Sequence, residues 1–130
     1  MSKNMTPKEF LNLQVQEFNN GNIDFLMTLY ENDACLAVKP DQVVRGLENI
    51  RKGMKGFIDM GAKLEARVKR ELQANEIVLM ITEWSINGTE RDGKPFILLG
   101  GAQWFYGRQA DGGLLIVVEN HTMHEDQLSK

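Results

Sequence analysis

Apolar positions in the first third of the chain recur at helical spacing. Thr6-Pro7-Lys8-Glu9 reads as a helix start, with Thr as cap, Pro at the first helical position and Glu at the third. Phe10, Leu11, Leu13, Val15 and Phe18 then form an apolar stripe, while Lys8, Asn12, Gln16 and Glu17 face water. Asn19-Asn20-Gly21-Asn22 stops this helix, with Gly21 suited to a left-handed cap. A second helix is predicted over Ile23 to Tyr30, burying Phe25, Leu26, Leu29 and Tyr30, and Glu31-Asn32-Asp33 ends it. Ala34 to Val38 is a brief strand closed by Lys39-Pro40. Arg45-Gly46 then turns the chain into a third helix, about Leu47 to Met60. Its stripe is Leu47, Ile50, Met54, Phe57 and Ile58, with Arg51, Lys52 and Lys55 opposite, and Gly61 ends it.

From Ala62 the period changes to two. Ala62, Leu64, Ala66, Val68 and Leu72 share one face, and Lys63, Glu65, Arg67, Lys69 and Glu71 the other, a half-buried strand with a solvated side. Three more strands follow, Ile77 to Ile86, Pro95 to Tyr106 and Leu114 to His121, joined by Asp92-Gly93 and Asp111-Gly112 turns. Both faces of these three are largely apolar, so the sheet needs two covers. The helices supply one; a second copy of the chain, pairing through the outer sheet face, is expected to supply the other. Helices gathered before a mostly antiparallel sheet indicate an α+β fold. Gly100 and Gly101 inside a strand permit strong curvature or close approach of a neighbour. A sheet curled around the third helix leaves a cone with an open mouth.

The chain has 130 residues, which fits one domain, with the ends 1–5 and 125–130 expected to fray. It is 42% hydrophobic and 25% charged, with net charge -3 and pI about 5.4. That balance argues against a nucleic-acid or anionic-membrane partner. No apolar run approaches the roughly 20 residues that span a bilayer, and Met1-Ser2-Lys3-Asn4-Met5 does not read as a signal peptide. Cys35 is the one cysteine. It reads as a small core hydrophobe, and the absence of a disulfide framework points to the cytoplasm.

Element order and lengths, from about Thr6 to Met123, resemble the SnoaL-like and ketosteroid-isomerase-like families of the NTF2-like superfamily. The phrases that carry the likeness are Gly21-Asn22-Ile23-Asp24 through Leu29-Tyr30-Glu31-Asn32-Asp33-Ala34, Arg45-Gly46, Asp92-Gly93-Lys94-Pro95, Asp111-Gly112 and Glu119-Asn120-His121-Thr122. The resemblance implies an NTF2-like cone, three N-terminal helices on a strongly curved, mixed, mostly antiparallel sheet. It does not imply one activity, because the fold hosts isomerases, cyclases, dehydratases, transport factors and association domains. Ketosteroid isomerases use a carboxylate base with a tyrosine and a protonated aspartic acid as oxyanion hole. Alignment puts Val38 at the base, Gln14 at the donor tyrosine and Gly101 at the aspartic acid; Val38 takes no proton and Gly101 donates none. Tyr30 matches a tyrosine that supports the donor network in that family.

By the same register Val78, Met80, Thr82 and Trp84 point into the cone, with Leu99, Gly101 and Gln103 from the next strand and Val118, Asn120 and Thr122 from the last. With Tyr30, Val38, Met54 and Phe57 they make an apolar chamber with a few polar groups, suited to a small hydrophobic or aromatic ligand. Trp84 would stack on a flat ligand and Gln103 and Asn120 would hydrogen-bond it; alternatively Trp84 and Met80 simply fill the cone. Glu83, Glu119 and His121 fall on the outer face, available to pair across a dimer interface. A register shifted by one would instead make Glu83 and His121 an acid–base pair. Asp41 reads as a loop residue near the mouth. Glu119, His121, His124 and Glu125 match no recognised metal pattern, and no cofactor-binding motif is present, so neither metal nor cofactor is expected. Two functions stay open. One is a cofactor-independent isomerase or cyclase of SnoaL-like type without the ketosteroid isomerase groups; the other is a non-catalytic association module.

Overall fold

The computed structural model describes residues 5–39 and 41–123. Helix α1 (Pro7–Asn19) starts with a complete capping box, the Glu9 amide donating to the Thr6 hydroxyl at 3.1 Å and the Thr6 amide to the Glu9 carboxylate at 2.9 Å. Gly21 takes the expected positive φ of 72°. Helix α2 (Ile23–Met27) is shorter than the residue pattern predicts. Thr28 and Leu29 leave it as a turn, and Tyr30 already belongs to strand β1 (Tyr30–Lys39). The strand runs on through Glu31, Asn32 and Asp33, which bridge the register shift between the Tyr30–Ile116 and Cys35–Val118 pairs, so it is twice its expected length despite their weak strand propensity. Strand β2 (Gln42–Arg45) has no counterpart in the sequence reading, since only Val44 of its four residues is half-buried and no alternation is legible. Helix α3 (Leu47–Asp59) and strands β3 (Lys63–Ala74), β4 (Ile77–Thr89), β5 (Pro95–Arg108) and β6 (Leu114–Met123) follow in the expected places.

The strands form one mixed sheet in the order β2-β1-β6-β5-β4-β3. Among the described strands β1 and β6 run parallel and the other pairs antiparallel. Helices α1 and α3 lie on its inner face, α1 fastened to β3 by Asn19, whose amide donates to the Leu64 carbonyl at 2.9 Å and accepts from its N–H at 2.7 Å. Phe10, Leu11 and Ile50 are sealed against Met80, Tyr106 and Ile116 of the sheet. The fold is thus the α+β, NTF2-like arrangement that the sequence implies, curled but not closed. Among the described residues no helix is long and apolar enough to cross a membrane.

Two irregularities and the regular β4–β5 ladder between them decide which side chains enter the cone. Between Val68 and Arg70 the β3–β4 register shifts, so Leu72 moves to the outer side opposite Leu79, 48% exposed, and is not on the buried face with Val68. Strands β4 and β5 pair Trp84 with Gly100, Thr82 with Ala102 and Met80 with Trp104, which turns the even-numbered residues of β5 inward. Leu99, Gly101 and Gln103 therefore lie on the outer face, contrary to expectation. Between β5 and β6, Phe105 opposes Val118 but Tyr106 opposes Ile116, leaving Val117 as an extra residue. Beyond that bulge Glu119 and His121 face inward, and Val118, Asn120 and Thr122 outward, the reverse of the expected phase. Cys35 is half-buried between the inward Ala34 and Leu36, so it is not part of the sealed core.

Candidate functional site

A cavity of about 340 Å³ opens between α3 and the curled sheet. Its walls are apolar: Phe18 of α1, Leu26 of α2, Leu36 and Val38 of β1, Met54 and Phe57 of α3, and Trp84, Ile86, Leu98 and Trp104 of the sheet. The polar lining gathers around the buried Gln14, Tyr30 and Glu119 and the half-buried His121, with Gln42 at the exposed edge strand.

Glu119 is the centre of this polar group. It is 1% exposed, so its carboxyl needs internal partners. The Tyr30 hydroxyl donates to Oε1 at 2.5 Å, and His121 Nε2 meets Oε2 at 2.5 Å. Met54 Sδ lies 3.6 Å from the same hydroxyl. Burial pushes the Tyr30 phenol well above its ordinary pKa, and the charge of Glu119 and the hydrogen bond to it push the same way. The imidazole of His121 stands edge to face with Trp84 and with Trp104, ring centres 5.8 and 5.4 Å apart. Both tryptophans are themselves pinned, Trp84 Nε1 donating to the Gly101 carbonyl at 2.8 Å and Trp104 Nε1 to Thr82 Oγ1 at 2.9 Å. Gly100 makes room for Trp84: a Cβ there would stand 2.7 Å from its ring and 2.3 Å from the Thr122 carbonyl oxygen.

Bonded to the Glu119 carboxyl through Nε2, a neutral imidazole that donates there leaves Nδ1 as its acceptor nitrogen. Nδ1 has no partner among the described residues, and His121 lines the cavity. The arrangement presents a proton acceptor, backed by a carboxylate, to an apolar chamber.

Of the residues expected at the site, Tyr30, Val38, Met54, Phe57 and Trp84 line the cavity. Val78, Met80 and Thr82 point inward but lie in packed core outside the cavity lining, Thr82 serving as the peg for Trp104. Leu99, Gly101, Gln103 and Asn120 are on the other side of the sheet, where the Asn120 amide donates to Gln103 Oε1 at 3.0 Å. They lie outside the cavity, with Gln103 exposed to solvent, so they are not available to a ligand bound there. Glu83 faces outward and pairs with Arg67, with Lys69 3.9 Å away, so the acid–base pair of Glu83 with His121 does not form. The partners are instead Glu119 and His121, both expected outside. Gln14, Phe18, Leu26, Leu36 and Trp104 were not assigned to the cavity from sequence. Gln14, at the position aligned with a donor tyrosine, is 4% exposed and accepts from the Tyr106 hydroxyl at 2.7 Å. Glu17, expected to face water, is half-buried with one carboxylate oxygen lacking a partner. Asp41 is exposed in its turn, as expected. Among the described residues no group of His, Cys, Asp or Glu could hold a metal ion; His124 and Glu125 lie outside them.

No family model and no curated protein matches the chain. Solved structures match along nearly its whole length. A Xanthomonas campestris protein named for the calcium/calmodulin-dependent protein kinase II association domain is 15% identical with TM-score 0.76, covering 97% of this chain and 96% of its own. A ketosteroid isomerase-like protein of Erwinia carotovora atroseptica is 12% identical with TM-score 0.77, over 89% of this chain and 92% of its own. A Catenulispora acidiphila protein solved in complex with S-DNPA is 14% identical with TM-score 0.74, over 95% and 94%. At such identities the likeness establishes the fold, one used both by ligand-holding and by association-type proteins.

Proposed function

We propose that the cavity binds a small, mostly apolar molecule, and that His121 Nδ1 accepts a proton from it while Glu119 stabilises the resulting imidazolium. The reaction class is cofactor-independent proton transfer, an isomerisation or cyclisation. A C–H proton moves to Nδ1, its electron pair enters the adjacent π system, and the imidazolium returns the proton at a second position. The observation that carries this reading is the Tyr30–Glu119–His121 chain at a cavity otherwise walled by hydrocarbon. A buried carboxylate costs folding stability that an apolar residue would not, so its presence here calls for a task. The lone cysteine fits a reducing compartment such as the cytoplasm. The test follows exchange of the α-protons of 2-tetralone for deuterium by NMR, together with a thermal-shift screen of flat phenols and cyclic ketones. Exchange above the buffer rate, lost in His121→Gln and reduced in Glu119→Gln, supports the reading. Exchange that survives His121→Gln, or no ligand that stabilises the protein, refutes it.

An association role is the second reading. Leu72, Ile77 and Leu99 are exposed on the outer sheet face, 48%, 45% and 42% respectively, and association-type proteins share the fold. A second copy covering this face would make a homodimer. Sedimentation at micromolar concentration is expected to return twice the chain mass; a monomer would refute pairing without touching the cavity.

A further inference from the structure

Helix α3 carries a glycine where nothing in the fold asks for one. Gly53 lies in the middle of Leu47–Asp59 with ordinary helical backbone, not the positive φ of Gly21, Gly46 or Gly61. Beyond its chain neighbours and the helix backbone itself, no atom stands within 4 Å of the place its Cβ would take. Close packing therefore does not require it either. A glycine inside a helix is destabilising against alanine, because it loses more chain freedom on folding. Gly53 is half-buried and lines the cavity, so the empty space beside it is cavity space.

The neighbours of Gly53 show what the gap does. Met54 and Phe57 line the cavity too, and Phe57 stands one turn beyond Gly53 on the same side of α3. A helical side chain at 57 leans back toward the turn that holds residue 53. Even so, no atom of Phe57 comes within 4 Å of the missing Cβ, and the phenyl ring leaves the gap open. The α3 wall is thus hydrocarbon at two positions and bare backbone at a third. An alanine or leucine at 53 would strengthen the helix and narrow the chamber. Gly56 provides the internal comparison: it has the same helix and the same open surroundings, but it is exposed and does not line the cavity.

We propose that Gly53 is a specificity-determining residue, whose missing side chain keeps the chamber wide enough at α3 for a ligand with a bulky hydrocarbon substituent. The substituent lies against the bare helix backbone, between Phe57 and the apolar sheet wall of Ile86 and Leu98. Its hydrocarbon character follows from those surroundings. Peptide groups in mid-helix are paired along the helix, so the backbone at 53 offers a contact surface and not hydrogen bonds. This rests on the cavity being a ligand site. It is independent of whether His121 then moves a proton.

Two phenols that differ in bulk test it by calorimetry: 4-methylphenol and 4-cyclohexylphenol. The unaltered protein should bind the cyclohexyl compound about tenfold more tightly, the worth of about two buried methylene groups. In Gly53→Leu that preference should vanish while 4-methylphenol binds as before, and Gly53→Ala should reduce it part of the way. Gly53→Ala and Gly56→Ala should each raise the melting temperature by roughly 3 °C, and Gly56→Ala should leave the preference intact. Nuclear Overhauser contacts should join the cyclohexyl protons to the α-protons of Gly53 in the unaltered protein, a readout that needs no variant to fold. Equal binding of the two phenols, absence of those contacts, or a preference that persists in Gly53→Leu overturns the assignment and leaves the cavity reading standing. So does an equal loss of both phenols in Gly53→Leu, which would make the position a gate and not a selector. A lower melting temperature in Gly53→Ala would show that the fold itself requires the glycine, and overturns the assignment as well. Binding of neither phenol to the unaltered protein overturns both readings.

Discussion

Raising the pH should leave both tyrosines protonated until the fold itself fails. Tyr30 and Tyr106 are the only two in the chain, so tyrosinate absorbance near 295 nm reports them alone. Each has its pKa raised in the folded state, first by burial and then by Glu119. In the unfolded chain a tyrosine loses its proton near pH 10. Above that pH the unfolded state binds fewer protons than the folded one, so stability falls as pH rises; below it the contribution is fully present. The slope is about 1.4 kcal/mol per pH unit for each tyrosine. If both hydroxyls keep their protons in the fold to pH 11.5, the loss there reaches about 2 kcal/mol per tyrosine, which for the pair is a large part of the roughly 5–15 kcal/mol that holds a typical domain.

Urea melts by circular dichroism at half-unit steps from pH 8.5 to 11.5 measure this directly. Lysines titrate in the same range, but they cancel in the difference between the unaltered protein and Tyr30→Phe or Tyr106→Phe. Each variant should lose one tyrosine's share of the slope above pH 10. Tyr30→Phe should also cost about 2 kcal/mol at pH 7, because it takes a donor from a buried carboxylate. The absorbance at 295 nm should rise together with the loss of structure. A tyrosinate step centred near pH 10 with circular dichroism still native would refute the burial of that hydroxyl. So would a variant slope no different from the parent's.

Three further outcomes follow from the same contacts. Gly100→Ala should cost about 2 kcal/mol in urea unfolding, since its Cβ would meet the Thr122 carbonyl and the Trp84 ring; a neutral result would mean that the strand is free to shift. Glu119→Leu paired with Tyr30→Phe should be at least as stable as the unaltered protein, with either single change destabilising; a double variant weaker than both singles would contradict the cost assigned to the buried carboxyl. Asn120→Leu should leave ligand-induced thermal shifts unchanged, while Trp84→Ala abolishes them, because only Trp84 lines the cavity.

Most of the framework was legible because it rests on strong local signals. The Thr6 box, the Gly21, Gly93 and Gly112 turns and the stripe of α3 each specify a boundary with a few residues. The inward face of β4 was legible as well, since Val78, Met80, Thr82 and Trp84 alternate with a set that includes Glu83 and Ser85. Strand β5 offered less. Its two alternating sets, Leu98-Gly100-Ala102-Trp104 and Leu99-Gly101-Gln103-Phe105, are nearly equal in apolar content, and only Gln103 marked the second as the outer one. Aligning Gly101 with an inward residue of a related family overrode that signal. Strand β2 was not legible because it is a four-residue edge strand with one half-buried residue, and the polar start of β1 because its neighbour β6 is far away in sequence.

Strand β6 shows why the site could not be read from alternation at any level of care. Leu114 and Ile116 are fully buried, so strict alternation sends Val118, Asn120 and Thr122 inward after them. One extra residue, Val117, breaks the phase. Its effect is to exchange an apolar side chain and two amide or hydroxyl groups for a carboxyl and an imidazole at the wall of the cavity. A regular strand would have packed Val118 there at no electrostatic cost, whereas the bulge buries Glu119 and then needs Tyr30 and His121 to satisfy it. Tyr30 reaches that carboxyl because the β1–β6 ladder carries a register shift of its own between Tyr30 and Cys35, so two irregularities in adjacent ladders converge on one carboxyl. Stability alone favours neither shift. A ligand or substrate that used the pair, as proposed for the cavity, would supply a reason for both and would link the backbone defect to that chemistry.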